Sequence, residues 1–386
     1  MSVSRLTHIT PIGVEQMGDL ADQLQNPEVL RLENLDTDFP PPAHALEATR
    51  QAVGKDEANS YLPFLGSNAL RAAATELLRS QTGIAYDWKT ECVISAGGLS
   101  GILNVLLATL EPGDEVLMTD PIYAGLLNRV RLAGGVPRLV PLNPTPDGWR
   151  LDLEALAQVD PARVKVALMM SPSMPTGAVL NAAEWKAIAD FCQRADAWLL
   201  NDTAMERLLF DGREVLHPAV LPGMRDRTIS VGAASKEYRM IGWRIGWVVG
   251  PAQVIADVAR VGISNVVCLS GIGMAGAEAA LAHPQDGISE FCAELQARRD
   301  LLLHELADYR LITPHGGWSL LMDVSPLGMN GAEAAQRLLE RGKIAATPMT
   351  NWGSESASAY VRLVFSNEPL DRLGGIEERV RRSLGS

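Results

Sequence analysis

Short apolar runs recur along the first two-thirds of the chain, each broken off by a small or polar residue. ECVIS (91–95) runs into AGGLSGILNVLLATL, which reads as strand, tight turn and helix. DEVLMTD (114–120) stops at Pro121, RVKVALMM (163–170) at the turn SPSMPTGAVL (171–180), and AWLLND (197–202) at Asp202. RTISVG (227–232) leads to Lys236, and RIGWVVG (244–250) ends at Gly250 and Pro251. These runs are apolar without alternation, the pattern of strands covered on both faces. Segments such as NAAEWKAIADFCQRA carry helical periodicity between them. The alternation predicts an α/β fold, with a mainly parallel sheet sandwiched by helices.

Beyond about residue 275 the texture changes. A long helical pattern (285–308) leads into the β-rich pieces GGWSLLMDV, KIAATPM and YVRLVF, which predict a smaller α+β domain. Residues 1–45 are proline-rich toward their end (FPPPAH) and read as an arm joining that smaller domain. The expected organisation is an arm (1–45), a large domain (46–275) and a small C-terminal domain (276–386).

Composition narrows the partners. The 386 residues carry a formal charge of −12, and an acidic surface argues against nucleic acid, whose binding needs Lys and Arg to neutralise phosphates. No apolar stretch is long enough for a membrane span or a signal peptide. Cys92, Cys192, Cys268 and Cys292 are scattered, without a CxxC pair or a neighbouring His, so neither a metal site nor a disulfide framework is expected. Reduced thiols suit a cytoplasmic protein.

In open parallel sheets ligands bind outside the carboxyl ends of the strands. The residues there are Gly97, Gly98, Tyr123, Met174, Asp202, Lys236 and Arg244. Each has a bland reading alone: two glycines make a turn, a loop lysine is solvated, an Asp after a strand caps a turn, and an Arg among apolar neighbours has a structural carboxylate. Together they have a chemistry. A glycine turn at a helix start cradles phosphate. A desolvated lysine forms a Schiff base, and a buried Asp holds a pyridine nitrogen protonated. An isolated buried Arg needs an anion. The set suits pyridoxal 5'-phosphate.

The motifs carry a resemblance. SKEYRMIGWRIGW is similar to the lysine signature of class I/II aminotransferases, the fold-type I pyridoxal phosphate enzymes: Ser-Lys, an aromatic two further on, then Met-x-Gly-x-Arg-x-Gly. SPSMPTG resembles the family's Asn-Pro-Thr-Gly turn, and NDTAMERLLFDG its Asp-Glu-x-Tyr segment. YLPFLGSNALRAAATELL and YVRLVFS resemble two further segments, all in family order from about residue 30 to 370. The resemblance implies an aminotransferase working on an L-α-amino acid and a 2-oxo acid, in a homodimer with shared active sites. It implies that Lys236 forms the Schiff base and shuttles the proton, that Asp202 pairs with the pyridine nitrogen and that Tyr123 stacks on the ring. Gly97, Gly98, Leu99, Ser235 and Arg244 would bind phosphate, and Tyr61 would do so from the partner chain. Arg362 would grip the substrate carboxylate bidentately.

The departures are specific. Met174 stands where the family has asparagine and Met205 where it has tyrosine, both donors to the cofactor's 3-oxygen. Hydrogen bonds to a charged form favour that form, so their loss predicts an imine that stays protonated to higher pH. Ala233 replaces a common serine, Leu35 a common glycine in the substrate region and Met349 another glycine. With Trp318 and Trp352 as further candidate walls, these describe a pocket rich in apolar bulk. Asp36 and Asp38 lie near the expected substrate edge, where a cationic side chain or simple turn capping would account for them.

Two other readings stand beside transamination. One is an enzyme of the same fold doing elimination, replacement, cyclisation or oxidation, which the two methionines would suit. The other is a regulator with an aminotransferase-like sensor, disfavoured because the residues before the matched region are few and not basic.

Overall fold

The computed structural model describes residues 3–283 and 287–385. Its strands in chain order are β1 (Leu30–Arg31), β2 (Cys92–Ser95), β3 (Glu115–Asp120), β4 (Val136–Thr145), β5 (Gly148–Leu151), β6 (Val164–Met170), β7 (Trp198–Asp202), β8 (Thr228–Ala233) and β9 (Gly246–Val249). Then follow β10 (Arg310–Ile312), β11 (Ser319–Asp323), β12 (Ile344–Ala345), β13 (Thr347–Pro348) and β14 (Tyr360–Val364). The predicted apolar runs therefore become strands nearly residue for residue.

An eight-stranded sheet has the order β2-β9-β8-β7-β6-β3-β4-β5. From β8 through β7, β6 and β3 to β4 the pairing is parallel. β9 runs antiparallel to both β2 and β8, and β5 closes the other edge antiparallel to β4. The sheet is thus mixed, with its parallel part in the middle.

Every residue of β2, β3, β8 and β9 is buried, which explains their lack of alternation. Successive side chains still point to opposite faces. Val231 and Val248 pack with Ile102 and Val105 of the helix Gly98–Thr109 on one face. Trp247 and Val249 pack with Leu70 and Leu78 of the helix Asn68–Thr82 on the other. The helix Ala182–Ala195 covers the neighbouring stretch with Trp185 and Phe191. It starts at a capping box, in which Asn181 accepts from Glu184 N at 2.9 Å and Glu184 accepts from Asn181 N at 2.7 Å.

The β4–β5 hairpin has no counterpart among the expected strands. Pro137, Pro141 and Pro144 interrupt its apolar pattern, and it lies at the edge of the sheet, where missing N–H donors are tolerated.

The second sheet has the order β10-β11-β14-β13 and is antiparallel throughout. The helix Ile288–Glu305 packs in the same core through Phe291, Leu295 and Leu302. Residues 285 and 286 of the predicted helical pattern lie outside the described residues. The N-terminal segment reaches this part of the molecule: β1 pairs in parallel with β12, Leu30 opposite Ile344. Arg298 then grips Asp38 through two 2.9 Å bonds. Asp38 is therefore occupied by an internal ion pair, and the Asp36 carboxylate accepts from Thr37 N.

Candidate active site

One pocket lies at the carboxyl ends of the central strands. Gly98 and Leu99 follow β2, Tyr123 follows β3, Met170 ends β6 and Met174 follows it. Asp202 ends β7 and Ala204 follows, Ala233 ends β8, and Ser235 and Lys236 come next. Leu35, Ile241, Arg244 and Trp318 complete the walls. The alternation of buried strand and polar turn is what brings these side chains together.

Asp202 and Lys236 form the charged centre. Asp202 is buried, and its Oδ1 accepts from Ala204 N at 3.0 Å. Burial pushes its carboxyl above the usual range, against the pull of Lys236, the Ala204 N–H and Arg129. Burial likewise pushes the Lys236 ammonium down; Asp202 opposes this and Arg244 reinforces it. A lysine so placed is closer to the free amine, the nucleophilic form. Its Nζ lies 5.5 Å from the Trp318 ring.

The glycine turn is shaped around Arg244. Gly97 has φ +85°, and a Cβ there would lie 2.5 Å from Arg244 Nη2. Only glycine lets the guanidinium lie against the start of the helix Gly98–Thr109, where free N–H groups attract an anion. Arg244 Nη1 donates to Ile241 O at 2.9 Å and Ser235 Oγ at 3.3 Å. Among the described residues Arg244 pairs with no carboxylate. The expectation of a buried Arg244 is corrected: it is exposed at the end of the turn Ile241–Trp243, so its charge stays hydrated at the pocket mouth.

Tyr123 is held by its surroundings. A Cβ at Gly125 would lie 2.4 Å from Tyr123 Cε1, so the absent side chain makes room for the ring. Trp352 meets it edge-on at 5.3 Å. Arg129 ties the helix Ala124–Leu132, which follows Tyr123, to the glycine turn, donating to Leu99 O at 2.9 Å and Gly125 O at 2.7 Å.

Arg362 differs from the rest. It is not in the pocket wall but in the middle of β14, opposite Leu321 and Thr347, with 0 % exposure. Its Nη2 donates to Glu33 O and Thr347 Oγ1, both at 2.9 Å. Its Nε and Nη1 have no partner. Burial lowers its pKa to about 10, while Tyr123 and Glu33 oppose the shift. The Trp352 ring, 4.6 Å away, connects it to Tyr123 and the pocket.

The two methionines part company. Met174 lines the pocket, at the tip of a turn closed by Gly177 N donating to Ser173 O at 2.7 Å. Met205 does not line it; it is buried beside Gly317 and Pro172, and Ala204 faces the pocket instead. Tyr61 is 84 % exposed and away from this pocket. Sequence reasoning missed Met170, Ala204, Ile241 and Arg129. Met170 carries the one available signal, as the last residue of a buried strand.

The family model for aminotransferase class I and II matches residues 27–373. The chain is 33 % identical over 356 residues to an arginine–pyruvate transaminase of Pseudomonas aeruginosa, covering 91 % of this chain and 89 % of the relative. The solved N-succinyldiaminopimelate aminotransferase from Mycobacterium tuberculosis superposes with a TM-score of 0.91 at 31 % identity, covering 99 % of each chain. An aspartate aminotransferase from Thermus thermophilus, solved with maleate, gives 0.89 at 30 % identity and covers 100 % of both. The chain belongs to the class I and II aminotransferases. It is a pyridoxal phosphate-dependent transferase of the α/β, fold-type I architecture. The pocket has the chemistry for that cofactor: a glycine turn that a Cβ would fill, an arginine without a carboxylate, a buried carboxyl and a lysine of lowered basicity.

Proposed function

We propose that the pocket passes an amino group between an L-α-amino acid with an uncharged side chain and a 2-oxo acid. Pyridoxal phosphate supplies the electron-withdrawing ring that such chemistry needs. Lys236 would hold it when no substrate is bound, and, as the free amine, its Nζ would move the proton from the substrate's α-carbon. Asp202 keeps the ring nitrogen protonated, and Tyr123 stacks on the ring. Gly97, Gly98, Leu99, Ser235 and Arg244 hold the phosphate. Leu35 and Trp318 meet the substrate.

Arg362 carries this reading. A wholly buried guanidinium with two unpaired nitrogens is costly until an anion joins it, and a substrate carboxylate fits its planar fork. The side-chain preference rests on the walls. Apart from Asp202, Lys236 and Arg244, all assigned to the cofactor, the residues lining the pocket carry no charge. Asp38 is taken by Arg298.

With this go a cytoplasmic homodimer and the division into arm (1–45), large domain (46–275) and small domain (276–386). Tyr61 and Phe64, exposed at 84 % and 49 %, suit a contact with the partner, where Tyr61 would reach the second site's phosphate. Sedimentation should give about twice the 41.6 kDa of one chain.

Met174 favours a second reading, elimination, replacement, cyclisation or oxidation at the amino acid, since a thioether faces the pocket where a donor would steady the ring's 3-oxygen. One experiment separates the two. Holoenzyme is mixed with single amino acids and no 2-oxo acid. Transamination releases one equivalent of 2-oxo acid per site and no ammonia. Continuing release of ammonia, or uptake of oxygen, establishes the second.

A further inference from the structure

Behind the active-site pocket lies a second, smaller polar cavity. Ala233 borders both. Its polar wall comes from Thr203, Glu206, Ser230, Glu237 and Gln81. Glu206 lies four residues after Asp202, and Glu237 directly follows Lys236.

The loops after β7 and β8 meet here. Both oxygens of Glu237 are engaged by one residue: Oε1 accepts from Arg207 N at 2.8 Å, and Oε2 from Arg207 Nε at 2.7 Å. The guanidinium also lies over the Tyr238 ring at 5.2 Å. Glu237 is 5 % exposed, so the pair is shielded from water and salt. Cys292 Sγ, from the helix Ile288–Glu305, donates to Arg207 O at 3.3 Å. Arg239 Nη1 donates to Glu237 O.

We infer that Glu237 is a positioning residue: through Arg207 it binds the turn that carries Lys236 to the loop that follows Asp202. β7 and β8 are already paired up to Asp202 and Val231. Thr203 N still donates to Val231 O at 2.9 Å, and β8 runs on to Ala233 against β9; past these points no backbone register pairs the two loops among the described residues. A carboxylate that accepts from a backbone N–H and a guanidinium together restores a rigid link at that point. The second carboxyl, Glu206, supports it by staying uncharged. Burial and the Glu237 charge both hold its pKa well above the carboxylate range. His217 Nε2, 3.9 Å from Glu206, is neutral, its pKa lowered to about 4 by burial.

This inference rests on Lys236 carrying the cofactor, and its test reads that nitrogen's protonation. Among the described residues the titratable or charged groups facing Lys236 are Asp202 and Arg244; those facing Glu237 are Arg207, Arg239 and Glu206. The measurement is the pH titration of the holoenzyme's visible absorbance, with melting temperature recorded alongside. Glu237→Gln removes an anion and leaves Arg207 in place, so the midpoint falls by about half a pH unit or more. Arg207→Gln cuts the same link while leaving the anion, so a positioning role moves the midpoint down as well, whereas the bare loss of a positive charge would move it up. The double variant, with the link already cut, shifts no further than either single variant. Glu237→Asp keeps the charge with a shorter reach, gives a smaller downward shift, and serves if Glu237→Gln does not fold. Shifts of the same sign that do not add in the double variant establish the positioning role; shifts of opposite sign that cancel in the double variant are the field of two charges and overturn it. Melting temperatures that fall while every midpoint stays put make the pair a structural staple and overturn the inference. A wild-type band that persists in Lys236→Ala defeats the assignment of Lys236 itself, a separate result.

Discussion

The two sheets present charge in opposite ways. At the eight-stranded sheet the strands are apolar; Asp202 ends β7, and the segment between β8 and β9 delivers Lys236 and Arg244. Lys236 and Asp202 offset one another, and Arg244 is exposed to water. In the four-stranded sheet the charge is inside the strand. Arg362 has neighbours in register on both sides, is closed off from solvent and has two nitrogens without a partner. In the first region solvent and opposite charge ease each group; in the second two donors of a buried cation are left over. A cation whose requirement the fold leaves unmet is a stronger pointer to substrate than one the fold has already neutralised.

The contrast can be broken at either end. The largest effect is expected from Lys236→Ala, which removes the amine we propose carries the cofactor and moves the proton. Single-turnover transamination should fall roughly 10⁴-fold, with the fold intact by circular dichroism. Arg362→Met comes next and sharpens the difference most. Loss of about 3 kcal/mol of carboxylate binding lowers kcat/KM roughly 10²-fold. The ligand-free protein should melt no lower than wild type, because an unpaired buried charge has been replaced by an apolar chain. A marked fall in melting temperature would make Arg362 a structural cation and erase the contrast.

A smaller effect is expected at Glu206, behind the first region. Its folded-state pKa is raised, so the folded protein holds a proton that the unfolded chain has released above the ordinary carboxylate value. Stability from this group is complete below that value and is lost as pH rises through the folded pKa. Glu206→Gln should therefore melt higher than wild type at pH 8 to 9, and the advantage should vanish near pH 4. Equal melting temperatures across that range would show Glu206 ionised in the folded state. The smallest is Asn181→Ala, which removes a helix cap remote from both charges. It should cost about 1 kcal/mol in chemical denaturation and leave kcat unchanged.

Much of this was legible in the sequence because its grammar is local. Buried parallel strands announce themselves as unbroken apolar runs, and the residues just after them are the pocket. The lysine motif set Lys236, Gly242 and Arg244 at recognisable offsets. What escaped depends on distant partners. Nothing in DTAMER or SKEYR says that Arg207 will meet Glu237. Arg129 looks like any helical arginine until Leu99 O appears beside it. The β4–β5 hairpin was hidden by its own prolines. Nor does NDTAM say that Ala204 will line the pocket while the Met205 thioether turns into the core.

The placement of Arg362 bears on how such a protein changes its diet. Strand register holds the arginine, and a slip of one residue would turn it to the opposite face of the sheet. Leu35, by contrast, lies in an irregular stretch between β1 and the helix Ala43–Val53, which no ladder constrains. Mutations there can reshape what the pocket accepts while the carboxylate handle we propose at Arg362 stays untouched. Chemistry and preference are thus separately heritable, and descendants of this chain could acquire new substrates without passing through a catalytically dead ancestor.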